Sequence, residues 1–74
     1  MAKIVYWSGS MPKCDLGVTH RLNGVFYDAL IPSYRKWGLV CPDCAKAHGV
    51  QLGMGQGQKY IQQPLSGKWM KVKG

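Results

Sequence analysis

The chain contains no glutamate, and its only acidic side chains are Asp15, Asp28 and Asp43. That absence removes a favoured general base. It also leaves ten Lys and Arg almost unopposed, at a formal net charge of +7. So large an excess on so small a body selects polyanions: nucleic acid, an acidic protein face or anionic lipid. Cysteine is scarce and odd in number, at three. One disulfide would strand a thiol, and in a reducing compartment the pattern fits a metal or thiol chemistry better than a disulfide framework. No stretch approaches the ~20 consecutive apolar residues that a membrane span needs. The apolar part of Met1 to Gly9 is too short for a signal peptide. The expectation is a cytoplasmic protein with no membrane partner and no small-molecule substrate.

Three Trp, four Tyr and one Phe provide enough apolar surface to favour packing over disorder. Yet a chain of 74 residues buries only ~60% of the surface its unfolded form exposes. Natural domains of this size carry a staple: disulfides, a metal or a partner.

The local pattern predicts an α+β chain of short elements. Ile4 to Trp7 reads as a short strand, and Cys14-Asp15-Leu16-Gly17 as a tight knuckle with Gly17 free to take positive φ. Val25 to Ile31 is rich in β-formers and bounded by Asn23-Gly24 and Pro32. It should pair with Trp37 to Val40 as a hairpin. Cys41 to Gly49 opens like a helix, with Pro42 at a first-turn position, Asp43 favouring the positive helix start and Gly49 suited to the C-terminal cap. Lys59 to Gln63 and Lys68 to Val72 form a second hairpin around Pro64-Leu65-Ser66-Gly67. Simple alternation puts Trp69, Lys71 and Lys73 on one face of its last strand and Met70 and Val72 on the other.

The staple is expected at Cys14, His20, Cys41 and Cys44. Cys41-x-x-Cys44 at a helix start brings two thiolates to one point. Cys14 and His20 add an upstream pair, which makes four donors for one structural Zn²⁺. His48, four residues after Cys44 on the same helical face, is the alternative fourth ligand. His20 is favoured because a tetrahedral site draws ligands from both sides of the metal. A knuckle, a hairpin and a helix-opening C-x-x-C follow one another as in a treble-clef or zinc-ribbon-like unit. Such a site supplies ~10–16 kcal/mol of apparent binding free energy. The organisation expected is one zinc-binding domain over 1–74, with a zinc core at 13–49, a glycine-rich loop at 52–58 and a C-terminal hairpin at 59–73.

Catalytic readings fare poorly. A redox C-P-x-C needs a βαβ unit before it and further strands after it, for which the chain is too short. The zinc deaminase pattern requires a glutamate. No enzyme is expected. Gly53-Met54-Gly55-Gln56-Gly57 exposes backbone amides that cradle a phosphate, or else forms a connector or a tight crossing over the knuckle. Lys59, Tyr60, Lys68, Trp69, Lys71 and Lys73 offer an aromatic and basic surface for nucleic acid. Alternatively, Trp69 packs in the core and the lysines form a solvated edge.

Cys14-Asp15-Leu16, Phe26-Tyr27-Asp28, Cys41-Pro42-Asp43-Cys44, Gly53-x-Gly55-x-Gly57-Gln58-Lys59-Tyr60 and Gly67-Lys68-Trp69-x-Lys71-Val72 together resemble small zinc-finger-like proteins of tailed bacteriophages, over residues 13–74. Members of that group carry C-x-x-C at both knuckles. Here Gly17 stands where the second cysteine would be, and His20 is the natural substitute. The resemblance implies a zinc site, a phage or prophage origin and a bacterial host cytoplasm. The charge, with the lysines and aromatic side chains, points to a nucleic-acid-binding (DNA or RNA) accessory or regulatory factor. The alternative is a protein–protein module that docks on an acidic host protein surface through Tyr34, Trp37 or Trp69.

Overall fold

A computed structural model describes residues 4–17 and 19–74; the part of the signal-peptide expectation that rests on Met1, Ala2 and Lys3 lies outside them. The elements in chain order are β1 (Val25–Ile31), β2 (Lys36–Val40), α1 (Pro42–Ala47), β3 (Gly57–Gln62) and β4 (Trp69–Lys73). The architecture is small α+β, a four-stranded antiparallel sheet in the order β2-β1-β3-β4 with one short helix.

Each element ends where its sequence requires. Asn23 and Gly24 both take positive φ, 55° and 80°, and turn the chain into β1. After Ile31 a tight turn closes with Tyr34 and Arg35 both donating N–H to the Ile31 carbonyl, at 3.1 and 2.8 Å. Arg35 sits in the left-handed region at φ 53°. At the start of α1, Cys41 is the N-cap and its sulfur accepts from the Cys44 N–H at 3.4 Å, with Pro42 in the first turn. At its end, Gly49 at φ 64° donates to the Lys46 carbonyl and Val50 to the Ala45 carbonyl, the Schellman pattern.

The two expected hairpins are present, and β1 also pairs with β3, from Val25↔Ile61 to Ala29↔Gly57, so they form one sheet. This long-range pairing gives the sheet two distinct faces. On one, Tyr27 and Ile31 meet α1 and a cluster of Cys14, Val40, Cys41, Cys44 and Ala45. On the other, Phe26 (0% exposed) stacks on Tyr60 with ring centroids 4.9 Å apart, while Trp7 and Trp69 meet it edge-on at 5.3 and 5.1 Å.

The segment expected as a strand at Ile4 to Trp7 runs along the outer edge of β4. Trp7 donates its N–H to the Trp69 carbonyl at 2.8 Å, and Lys71 donates to the Val5 carbonyl at 2.8 Å. Only the Tyr6↔Met70 bridge forms, short of a full fifth strand.

Three expectations are corrected. The register between β3 and β4 shifts between Lys59 and Tyr60, so that Tyr60 faces Lys71 and Lys59 faces Lys73. This bulge interrupts simple alternation. Lys71 stays with Trp69 on the aromatic face, and Lys73 joins Lys59 on the other. Gly17 is not among the positive-φ glycines; its lack of a side chain serves His20, as described below. The glycine-rich loop turns three of its amides, those of Gly53, Gln56 and Gly57, onto its own carbonyls. Gly53 and Gly57 exchange N–H···O=C bonds at 2.9 and 3.0 Å, Gln56 donates to the Gly53 carbonyl at 3.0 Å, and the Gln56 carbonyl accepts from Leu30 at 2.9 Å. The loop is a compact turn packed on β1 and β3. A Cβ on Gly57 would lie 2.5 Å from the Gln51 carbonyl oxygen and 2.7 Å from the Ala29 Cβ.

Candidate metal centre

Two backbone devices bring the donors together. The knuckle docks on the free edge of β2: Asp15 donates its N–H to the Leu39 carbonyl at 2.7 Å, and its carboxylate accepts the Leu39 N–H at 2.8 Å. That clamp covers the outer groups of Leu39 and sets Cys14 beside Val40 and Cys41. The N-cap turn of α1 then presents Cys41 and Cys44 on the same side. Asp15 escaped the reading of the sequence, where its one visible mark was adjacency to Cys14.

His20 completes the group, and Gly17 makes room for it. Its backbone N–H bonds to the Gly17 carbonyl at 3.1 Å. Its ring lies so close that a Cβ on Gly17 would sit 2.7 Å from Nε2. The ligand-type atoms of Cys14, His20, Cys41 and Cys44 all lie within 4.8 Å of one another. The Cys14 and Cys44 sulfurs are 3.7 Å apart, and His20 Nδ1 is 3.1, 3.6 and 3.9 Å from the sulfurs of Cys44, Cys14 and Cys41.

The 3.7 Å S···S edge and the 3.6 and 3.9 Å S···N edges are near those of one tetrahedral ion, while the 3.1 Å edge is shorter and the set as a whole spreads to 4.8 Å. Zinc bonds of about 2.3 Å to sulfur and about 2.0–2.1 Å to nitrogen imply S···S edges of about 3.8 Å and S···N edges of about 3.6 Å. The cysteines are free thiols and buried, whereas His20 is exposed and forms the outer wall. His48 is elsewhere. It caps the end of α1, its Nδ1 lies 3.1 Å from Ser33 Oγ, and its ring packs beside Tyr34.

The electrostatics of the bare donors also favour a cation. Burial pushes the Cys14 thiol up, but hydrogen bonds from the backbone of Cys41 and Leu16 and contacts with His20 and Cys44 outweigh it and bring it down to about 7. Cys44 moves the other way. Burial, then its contacts with Cys41 and Cys14 and repulsion from both, push it up to about 12. Neighbouring sulfurs therefore resist joint ionisation unless a positive ion offsets the charge. Cys14, His20, Cys41 and Cys44 lie close enough to hold one metal ion.

The other expected site residues are not gathered into one surface. Tyr60 is 5% exposed and Trp69 half-buried, both within the aromatic cluster. The Lys59 ammonium lies over the Tyr27 ring at 5.8 Å on the opposite face, and Lys68 lies over Tyr6 at 5.6 Å. Lys71 is half-buried and Lys73 exposed. No family model, curated protein or solved structure matches this chain. No helix among the described residues is long and apolar enough to cross a membrane.

Proposed function

We propose that the chain is a zinc-stapled, treble-clef-like module that binds nucleic acid as an accessory or regulatory factor and is not an enzyme. The observation that carries the zinc assignment is the donor set: three sulfurs and one imidazole nitrogen within 4.8 Å of one another. Sulfur and imidazole donors suit zinc above harder cations. Four protein ligands fill a tetrahedron and leave no position for a reactive water, so the ion's role in this reading is structural.

The nucleic-acid reading rests on charge. The chain carries +7, and Lys59 and Lys73 face each other directly across β3 and β4. Like charges in that position are destabilising, and a bound polyanion relieves them. The phage origin rests on the motif resemblance alone. Protein docking at an acidic host surface is the competing reading, favoured by the exposed rings of Tyr34 and Trp37.

Metal analysis of the purified chain should return one zinc per molecule. Capture from a bacterial lysate should recover nucleic acid that is released by nuclease and by salt, with log K falling linearly in log salt. A nuclease-resistant, stoichiometric protein partner would instead select the docking reading.

A further inference from the structure

The three tryptophans have different fates. Trp7 and Trp69 are half-buried in the aromatic cluster. Trp37 is 50% exposed, and three residues before it Tyr34 is 55% exposed. Between them stand Arg35 and Lys36, both exposed, so the β1–β2 turn carries an uninterrupted aromatic–basic–basic–aromatic run. Burying an indole is among the largest single gains open to a small chain. Two large rings each with about half their surface open beside two cations, one ring seated against His48, are therefore informative in a way that one exposed apolar residue is not.

A groove of about 300 Å³ runs beside this run, between the knuckle and the turn, lined by Asp15, Leu16, Tyr34, Lys36, Trp37 and Gly38. The carboxylate in it is already engaged, since Asp15 accepts the Leu39 N–H. The groove's free charge is that of Lys36, with Arg35 next to it on the turn. Its wall is the segment that holds Cys14, so its shape depends on the metal centre.

We infer that this groove and turn form the contact surface for a single-stranded nucleic acid: Tyr34 and Trp37 stack on unpaired bases, and Arg35 and Lys36 meet the flanking phosphates. The inference rests on the nucleic-acid reading above and moves its site from the C-terminal hairpin, where Tyr60 and Trp69 are engaged in packing, to the β1–β2 turn. A single strand is specified because a duplex hides its base faces, whereas unpaired bases stack on exposed rings whatever their sequence. The charge is complementary, and the run contains no carboxylate to repel the backbone.

The test uses the full zinc-loaded chain and a fluorescently labelled oligothymidylate about 12 nucleotides long, with a duplex of equal length in parallel. Wild type should bind the single strand more tightly than the duplex, with quenching of tryptophan emission. Trp37→Ala and Tyr34→Ala should each weaken binding about 5- to 100-fold, and Trp37→Phe should retain most of it. Arg35→Gly, which suits the left-handed backbone there, and Lys36→Gln should each flatten the log–log salt slope by about 0.7. Zinc content and melting temperature of each variant, matched to wild type, exclude unfolding as the cause. Full affinity in the Tyr34→Ala/Trp37→Ala double variant would overturn this surface while leaving the nucleic-acid reading intact. Duplex preference would overturn the single-strand assignment. No binding to either probe would overturn both readings, as would an acidic protein partner lost in Trp37→Ala without any oligonucleotide affinity.

Discussion

The two faces of the sheet reach stability by different physics. The aromatic face is built from area: Trp7, Phe26, Tyr60 and Trp69 interlock with ring centroids 4.9–5.7 Å apart, and that contact is non-directional and independent of any ion. The opposite face buries Ile31 and Val40 with the small residues Cys14, Cys41, Cys44 and Ala45, and packs Leu16, Leu22, Tyr27 and Val50 at their margin. Its apolar layer is therefore interrupted by three thiols. What joins the knuckle to the helix there is a set of donor atoms, while the clamp of Asp15 on Leu39 joins it to β2. In a chain of this size, a dry apolar layer supports one side of the sheet and directional coordination is proposed to support the other.

The largest expected effect breaks the metal face alone. Cys44→Ser, or a strong chelator, should remove the bound metal. It should also remove most of the ~10–16 kcal/mol that a structural zinc contributes, leaving the knuckle and α1 unfolded. His48→Ala should leave metal content unchanged. Metal analysis and thermal melting with and without chelator check both, and a melting curve indifferent to chelation would show that the two faces do not divide the work in this way.

The next effect strikes the aromatic face. Phe26→Ala removes the ring at the centre of the stack and should cost ~3–5 kcal/mol. Chemical denaturation of the metal-loaded protein measures it. If the faces are distinct, the cysteines should still bind metal stoichiometrically under folding conditions.

A smaller change sharpens the metal side. Gly17→Ala places a methyl group against the His20 ring and should weaken zinc affinity, while His48→Ala does not. Competition with a chromophoric chelator reads the difference.

The smallest effect is electrostatic and sits on the aromatic face. Burial raises the Asp28 carboxyl above its ordinary 3.8. The native state therefore binds more protons than the unfolded state between 3.8 and the raised value, and stability falls as pH rises through that window. Above it the cost of the ionised form is fully present. Asp28→Asn should raise the melting temperature slightly at neutral pH, and the gain should shrink toward acid pH.

Much of this was legible in the residues themselves. Val25 to Ile31 follows from its β-formers and its bounding turn signals, and α1 from Pro42, Asp43 and Gly49, because each cue acts within a few residues. The four donors were likewise readable from residue type and spacing. The choice of His20 over His48 needed only the argument that ligands come from both sides. Residue pattern alone did not show that Tyr60 and Trp69 are covered rather than presented. Their exposure depends on Phe26 arriving from a distant strand and on a bulge that moves Lys73 to the other face. The pattern at Tyr34 to Trp37 was equally visible in sequence, but nothing local says that Trp37 stays in solvent while Trp7 and Trp69 do not.

The sequence by itself determined the element types, the donor chemistry and the excess of positive charge, since these reside in residue identity and near-neighbour spacing. Only the tertiary structure decided which aromatic rings are covered and which are presented, and that Gly17 yields its space to His20. Those outcomes depend on long-range pairing between β1 and β3 and on the docking of the knuckle on β2, contacts between segments that no local rule relates.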